Sequence, residues 1–86
     1  MYWVYVLKSK KNASLYIEMT NDFQRRLGEH NNGSSPSTKR YIPWACIYAE
    51  GFSSFEDAEA REKNLKYFGK AYGQLKRRIR ASLATA

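Results

Sequence analysis

Hydrophobic and polar residues alternate along a short stretch near the start of the chain. Residues 15–19 place apolar side chains at the odd positions only, which is the period of a half-buried strand. Residues 2–7 are aromatic or β-branched almost throughout, so both faces are apolar, as in a central strand. Because the polar segment 9–14 is short enough for a hairpin, we predict two antiparallel neighbours. That pairing can bring Tyr5 and Tyr16 near each other.

The period changes at Asn21. Asn21 and Gln24 have the spacing of an N-cap and its reciprocal partner, which predicts a helix over about residues 22–31. The positions that recur with helical spacing are Phe23, Arg26, Leu27 and His30. An arginine and the only histidine of the chain therefore lie one turn apart on the face that is expected to point inward.

Local composition predicts the elements of the second half. Residues 32–40 are rich in Gly, Ser and Pro and form a loop, and loops of that length tend to be functional or mobile. Residues 44–50 form a third strand. Gly69 and Gly73 interrupt the pattern before a last basic helix at about residues 74–83.

A second helix opens at residues 53–54, where serine supplies the N-cap and acidic residues follow in the first turns. Its apolar stripe comprises Phe55, Ala58 and Leu65. Glu62 lies between Ala58 and Leu65, at a position where the period expects an apolar side chain. A carboxylate in such a place needs a cation, either a basic side chain or a metal ion.

These elements predict one α/β domain of the α+β type over residues 1–86. Its core spans about residues 2–68, and a basic C-terminal helical segment follows at about 69–83. No apolar run approaches the roughly 18 residues of a membrane span, and the start lacks the features of a signal peptide, so we expect a cytoplasmic protein without a membrane partner. Cys46, the single cysteine, sits in an apolar run and is expected to be a small core residue.

The net charge of +7 is concentrated in the last quarter of the chain. Residues 1–62 carry eight basic and eight acidic side chains, whereas residues 63–86 carry seven basic and no acidic ones. A block of one sign is typical of a solvated helix face or of a surface that binds a polyanion, and Lys and Arg favour phosphate.

Four polar groups are thus expected to face the interior: Tyr16, Arg26, His30 and Glu62. One interpretation is structural, with a salt bridge between Arg26 and Glu62, His30 bonded to the backbone, and Tyr5 and Tyr16 packing as core aromatics. The other is a site that binds a ligand.

The order and spacing of four segments favour the second interpretation, because together they resemble the GIY-YIG nuclease domain. The segments are Val4-Tyr5-Val6-Leu7, Leu15-Tyr16-Ile17-Glu18-Met19-Thr20-Asn21, Arg25-Arg26-Leu27-Gly28-Glu29-His30-Asn31 and Ala58-Glu59-Ala60-Arg61-Glu62-Lys63. The likeness extends from about residue 2 to residue 68. It is greatest to the small stand-alone GIY-YIG proteins, which are related to the incision subunit of nucleotide excision repair.

The resemblance implies a three-stranded antiparallel sheet flanked by about three helices, and hydrolysis of phosphodiester bonds with one divalent ion, Mg²⁺ or Mn²⁺. Tyr5, Tyr16, Arg26 and His30 match catalytic positions of the family, and Glu62 matches its metal-binding glutamate. Arg26 would bind phosphate oxygens, and Tyr5, assisted by Tyr16 or His30, or His30 itself would take a proton from water. No small-molecule cofactor is implied.

One residue departs from the family pattern. The second motif ends in glycine in the family, and Glu18 stands there in this chain. By alternation Glu18 shares a face with Tyr16, so its carboxylate either obstructs the site or adds a second ligand to the ion. The proximity of Glu18 and Glu62 would itself demand a cation.

The predicted function is a metal-dependent endonuclease on single- or double-stranded DNA, directed by structure or single-strandedness. The side chains expected to grip the phosphate backbone are Lys39, Arg40, Lys63, Lys66, Lys70, Lys76, Arg77 and Arg78. Two alternatives are a nucleic-acid-binding module that lost cleavage through Glu18 and a small basic protein bound to RNA or ribosomes. Tyr41, Trp44, Phe68 and Tyr72 are either stacking platforms for bases or core residues.

Overall fold

The computed structural model describes residues 1–85 and has three β-strands and four α-helices. The strands are β1 (Tyr2–Ser9), β2 (Leu15–Thr20) and β3 (Trp44–Phe52). The helices are α1 (Phe23–Asn32), α2 (Phe55–Tyr67), α3 (Gly69–Arg78) and α4 (Arg80–Thr85), and a short 3-10 helix covers Lys39–Tyr41. The three predicted strands and the first two predicted helices are confirmed, with ends shifted by one to two residues.

The strands form one antiparallel sheet in the order β2-β1-β3. The central position of β1 agrees with its apolar character on both faces. In the register of β1 and β2, Tyr5 lies opposite Glu18 and Leu7 lies opposite Tyr16. Since side chains alternate along a strand, Tyr5, Tyr16 and Glu18 share one face of the sheet.

Each face of the sheet is covered by a different helical layer. Tyr5, Leu7 and Trp44 form the buried cluster on one face, against Phe23 and Leu27 of α1. The buried cluster on the opposite face comprises Val4, Val6, Ala58, Leu65 and Leu75, which brings α2 and α3 onto that side. Half-buried Cys46 packs at the margin of the first cluster.

The start of α1 differs from the prediction. Asp22, not Asn21, is the N-cap, and its carboxylate accepts a hydrogen bond from the backbone N–H of Arg25. Aspartate caps a helix as well as asparagine does, and its charge also suits the helix dipole. At the other end, Gly33 adopts φ 87° as the C-cap, a left-handed conformation that favours glycine.

The C-terminal helical segment also differs from the prediction. Instead of a single helix at 74–83, α3 already begins at Gly69 and runs through Gly73, and a break at Ile79 separates it from α4. Buried Leu75 and half-buried Tyr72 anchor α3 to the core, and this packing outweighs the low helix propensity of glycine. Across residues 1–85, no helix has the length and apolarity needed to cross a membrane.

Candidate active site

The carboxylate of Glu18 is the centre of a polar cluster on the α1 side of the sheet. Arg26 donates to it twice, from Nε to Oε1 at 2.8 Å and from Nη2 to Oε2 at 2.9 Å. Tyr5 donates its hydroxyl to Oε1, and the Tyr16 hydroxyl lies 3.4 Å from Oε2. His30 Nε2 is 3.1 Å from Oε1. Side chains from β1, β2 and α1 therefore converge on one anion.

Arg26 reaches this cluster from the second turn of α1, with its side chain 24% exposed. Besides Glu18, its guanidinium contacts Glu29 Oε1 at 3.0 Å and Ser35 Oγ at 3.3 Å. The hydrogen bond to Glu18 is the main cause that raises the pKa of Arg26. Arg26 is therefore a permanent cation at the rim of the cluster.

His30 is fully buried, and its two ring nitrogens have different partners. Nε2 faces Glu18 Oε1, and an ionised carboxylate oxygen can only accept a hydrogen bond. Nε2 also lies 3.0 Å from the hydroxyl oxygen of Tyr5, whose O–H already donates a hydrogen bond to Glu18. Nε2 must therefore carry a proton. Burial lowers the pKa of His30, so the ring is neutral near pH 7 and Nδ1 accepts from the Thr38 hydroxyl at 2.7 Å.

The two tyrosines differ in their surroundings. Tyr5 is fully buried and packs edge-on against Phe23, with ring centroids 5.2 Å apart. Burial, followed by the hydrogen bond to Glu18 and its charge, raises the pKa of Tyr5 far above its usual range. Tyr16 is only half-buried, and its hydroxyl also lies 3.1 Å from Ser37 Oγ.

Glu18 remains ionised in this environment. Burial by itself would raise the pKa of the carboxyl, but the hydrogen bonds from Arg26, Tyr5 and His30 more than offset it and lower the pKa below its usual value. A carboxylate that is only 18% exposed is thus held as an anion by the groups around it.

The loop after α1 supplies partners that the sequence pattern did not indicate. Ser35, Ser37 and Thr38 bond Arg26, Tyr16 and His30 respectively, and Ser35 and Thr38 are buried. This part of the loop therefore packs as a wall of the site. The only hint in the sequence was the density of hydroxyl side chains, which is equally typical of a solvated loop.

The end of α1 and the same loop are both tied to Trp44, the first residue of β3. The Asn31 amide donates to the Trp44 carbonyl at 2.9 Å and accepts from the Trp44 N–H at 2.6 Å. The indole N–H of Trp44 donates to the carbonyl of Thr38 at 2.8 Å. Trp44 is therefore a buried anchor of the site wall rather than a stacking platform.

Glu62 lies apart from this cluster. It belongs to α2, which covers the opposite face of the sheet, and its side chain is 20% exposed. Its carboxylate pairs with Lys66 Nζ at 3.4 Å. Among residues 1–85 no hydrogen bond or ion pair joins Glu62 to Arg26, so the predicted alternative of a structural Arg26–Glu62 salt bridge is wrong. Arg26 pairs instead with Glu18 on β2.

Potential metal ligands are correspondingly sparse. No group of three or more His, Cys, Asp or Glu side chains in the described part of the chain could hold a metal ion. Glu18 is occupied by Arg26 and His30, and Glu62 by Lys66, so each carboxylate has a cationic or hydrogen-bonded partner of its own. The possibility that Glu18 serves as a second metal ligand therefore has no support in these contacts.

A cleft of about 460 Å³ opens beside the cluster at the edge of β2. Glu18, Arg26 and Glu29 line it on one side, and it continues to Met19 and to Phe55, the first residue of α2. The cleft thus joins the two faces of the sheet. Glu62 lies two turns beyond Phe55 on α2, roughly 10 Å along the helix axis.

The residues predicted to grip a phosphate backbone are all exposed: Lys39, Arg40, Lys63, Lys66, Lys70, Lys76, Arg77 and Arg78. Three of the lysines already have partners: Lys66 pairs with Glu62, Lys63 lies 3.8 Å from Glu59, and the ammonium of Lys76 lies 4.7 Å from the centre of the Tyr72 ring. Of the candidate stacking residues, Phe68 is 62% exposed, whereas Tyr41 and Tyr72 are half-buried. Neighbouring Tyr67, which the sequence did not single out, is 74% exposed.

Known proteins resemble this chain over most of its length. The family model of the GIY-YIG catalytic domain matches residues 1–76. A UPF0213 protein of Streptococcus pneumoniae is 42% identical over 65 residues, which cover 74% of this chain and 65% of that protein. A UPF0213 protein of Staphylococcus haemolyticus is 37% identical over 70 residues, covering 80% of this chain and 84% of its own length.

The fold has a counterpart among solved structures. The solution NMR structure of the UPF0213 protein BH0048 from Bacillus halodurans superposes with a TM-score of 0.58 at 24% identity, covering 99% of this chain and 95% of that one. The predicted fold and family are confirmed by these matches. The chain belongs to the GIY-YIG domain family and, within it, to the UPF0213 proteins.

Proposed function

We propose that this protein is an endonuclease that hydrolyses phosphodiester bonds in DNA with the help of a divalent ion, acting preferentially on structured or single-stranded DNA. One observation carries the proposal: Tyr5, Tyr16, Arg26 and His30 converge on a single anionic group. Arginine recognises carboxylate and phosphate with the same forked geometry, so donors arranged around a carboxylate also suit the oxygens of a phosphodiester. The membership of the GIY-YIG family supports this assignment.

Arg26 and Tyr16 bind the phosphate in this proposal. The planar guanidinium donates to two phosphate oxygens, and its contribution grows as negative charge builds in the transition state. In the reaction, the oxygen of a water attacks phosphorus and the water loses a proton to a base of the site. The bond from phosphorus to the leaving oxygen breaks, and that oxygen takes a proton from solvent.

We assign His30 as the base and Tyr5 as its partner. The two groups lie 3.0 Å apart. Burial lowers the pKa of His30, so its ring is neutral and able to accept a proton near pH 7, whereas the raised pKa of Tyr5 keeps that hydroxyl protonated. The hydroxyl of Thr38 can accept from Nδ1–H as readily as it donates to Nδ1. When Glu18 no longer accepts the Nε2–H hydrogen bond, the proton can therefore reside on Nδ1, and Nε2 is then free to accept a proton from water.

Glu62 is the residue that would hold the ion. Mg²⁺ binds through one or two carboxylates and keeps several waters, so a single partly exposed glutamate suits it. An ion held there would supply positive charge to a phosphodiester that reaches from the cluster through the cleft toward α2, and to its leaving oxygen. Lys66 neutralises this carboxylate in the structure and must release it for an ion to bind.

The exposed basic residues of the loop and of α2 and α3 supply a surface for the DNA backbone. These flexible, charged side chains attract phosphates but are not held in an orientation that would contact base edges. They therefore position a strand and do not read its sequence. RNA offers the same phosphates, and binding assays need to include it.

A second candidate is a nucleic-acid-binding module with impaired cleavage. It is favoured by the position of Glu18, whose carboxylate engages the same side chains that the reaction requires. While it stays there, Tyr5 and His30 Nε2 both hold their protons and cannot act as bases.

A cleavage assay separates the two candidates. The protein is incubated with single-stranded, double-stranded and branched DNA and with single-stranded RNA, in the presence of Mg²⁺, Mn²⁺ or chelator. Metal-dependent cleavage that disappears in Glu62→Gln and in Arg26→Ala supports the nuclease. Binding without cleavage supports the module, and cleavage that survives both substitutions contradicts the proposed site.

A further inference from the structure

We propose that the carboxylate of Glu18 is a built-in occupant of an oxyanion site, an internal competitor that must leave before a phosphate can enter. This inference rests on the proposed function only in taking the cluster as the phosphate site. The side chain that stands where the resemblance leads us to expect glycine is itself the ligand of the site.

The contacts of Glu18 are those of a bound ligand. Arg26 donates hydrogen bonds to both carboxylate oxygens in forked geometry. Oε1 also accepts hydrogen bonds from Tyr5 and His30, and the hydroxyl of Tyr16 lies near Oε2. These donors come from separate elements and all point at one group. A salt bridge formed only for stability would need Arg26 alone.

The surrounding groups are supported independently of Glu18. Thr38 orients His30, Ser35 and Glu29 contact Arg26, and Ser37 contacts Tyr16. Within residues 1–85, no buried polar side-chain atom lacks a hydrogen-bond partner. Taking away the carboxylate would leave Arg26 and the hydroxyls of Tyr5 and Tyr16 as donors for another oxyanion, because Glu29, Ser35, Phe23 and Ser37 still contact them.

Glu18 also has a path out of the site. It lies on the edge strand β2, and its side chain lines the open cleft at that edge together with Arg26. A rotation about its side-chain bonds would carry the carboxylate from the cluster into the cleft. The contact is therefore autoinhibitory in form, because the occupant can be exchanged without unfolding the sheet.

Inorganic phosphate is the probe that tests this inference, without DNA or metal. Phosphate is titrated into the wild type and Glu18→Ala while amide chemical shifts and the melting temperature are followed. We expect Glu18→Ala to bind phosphate at least about tenfold more tightly than the wild type, with shifts at Arg26 and His30 and a melting temperature that rises with phosphate.

Two variants control for effects of charge alone. Glu18→Gln loses the charge but still fills the site, and Glu29→Gln loses a carboxylate that contacts Arg26 from outside it. Neither is expected to gain phosphate affinity. The double variant Glu18→Ala with Arg26→Ala should lose the gained affinity.

Three outcomes would overturn the inference. They are no phosphate binding by Glu18→Ala, equal binding by Glu18→Ala and Glu18→Gln, and a Glu18→Ala protein that stays unfolded even in phosphate. The last outcome counts because, if the carboxylate only occupies an oxyanion site, phosphate bound in its place should let the variant fold. Phosphate binding without any DNA cleavage would instead uphold the oxyanion site and count against the nuclease.

Discussion

Arg26 binds Glu18 through two parallel hydrogen bonds, from Nε at 2.8 Å and from Nη2 at 2.9 Å. Both side chains are largely buried, with 24% and 18% of their surfaces exposed. The pair joins α1 to β2 across the site. At this position the resemblance to the GIY-YIG motif leads us to expect glycine, and the carboxylate that stands there instead meets a cation on the neighbouring helix.

Arg26→Ala should lower the free energy of unfolding by about 2 kcal/mol, because Glu18 loses its cation while it remains partly buried. Arg25→Ala is the matched control on the same helix. The side chain of Arg25 is 55% exposed and pairs with Asp22 and Glu29 at the surface, so its loss should cost no more than about 0.5 kcal/mol. Urea unfolding at pH 7 measures both; equal losses would contradict the central role of Arg26.

Thr38→Val should destabilise the protein by about 1 to 3 kcal/mol, because buried Nδ1 of His30 loses its donor while the shape of residue 38 is preserved. The nitrogen chemical shifts of the His30 ring should move at the same time, which a purely packing role for Thr38 would not produce. Ser37→Ala, which removes an exposed hydroxyl of the same loop, should leave both the stability and these shifts nearly unchanged.

The stability of the protein should fall with acid in two stages. The folded pKa of His30 is below its usual 6.5 and that of Glu18 is below its usual 4.5, so the unfolded chain binds more protons than the folded one in both ranges. The contribution of these two groups is therefore complete above about pH 6.5 and declines as the pH falls through each folded pKa.

Urea unfolding between pH 7 and pH 3.5 follows this decline. Because His30 is the only histidine, His30→Gln should remove the upper stage and leave the lower one. A pH dependence between 5 and 6.5 that persists unchanged in His30→Gln would contradict the assignment.

Glu18→Gly should raise the rate of any DNA cleavage, because it frees Arg26, Tyr5 and His30 for the substrate. The measurement is cleavage of labelled DNA by the wild type and the variant at matched Mg²⁺, with Glu18→Gly carrying Glu62→Gln as the inactive reference. An unchanged or lower rate would show that the enzyme accommodates or uses Glu18.

The affinity for DNA should fall steeply with salt if the basic surface contacts phosphates. Replacing exposed Arg77 and Arg78 by glutamine should reduce the slope of log affinity against log salt by about 1 for each lost contact. Lys10, which is exposed on the β1–β2 turn and is not among the residues assigned to the phosphate surface, is the control and should leave the slope unchanged. A flat salt response of the wild type would remove the role given to α3.

The sequence by itself determined the strands, the first two helices and the faces on which Tyr16, Arg26 and His30 lie. Alternation and helical spacing are local properties, so they indicate which face a side chain occupies without any knowledge of its neighbours. The same reasoning placed Glu18 on the side of Tyr16, as the structure has it.

Only the tertiary structure decided which charges pair. Helical spacing put Glu62 on an inward stripe, but α2 packs on the opposite face of the sheet from α1. Arg26 therefore pairs with Glu18 on β2, and Glu62 pairs with Lys66. The polar contacts of Ser35 and Thr38 also depend on where a long loop returns. Pairing is a matter of three-dimensional proximity, and no local period contains that information.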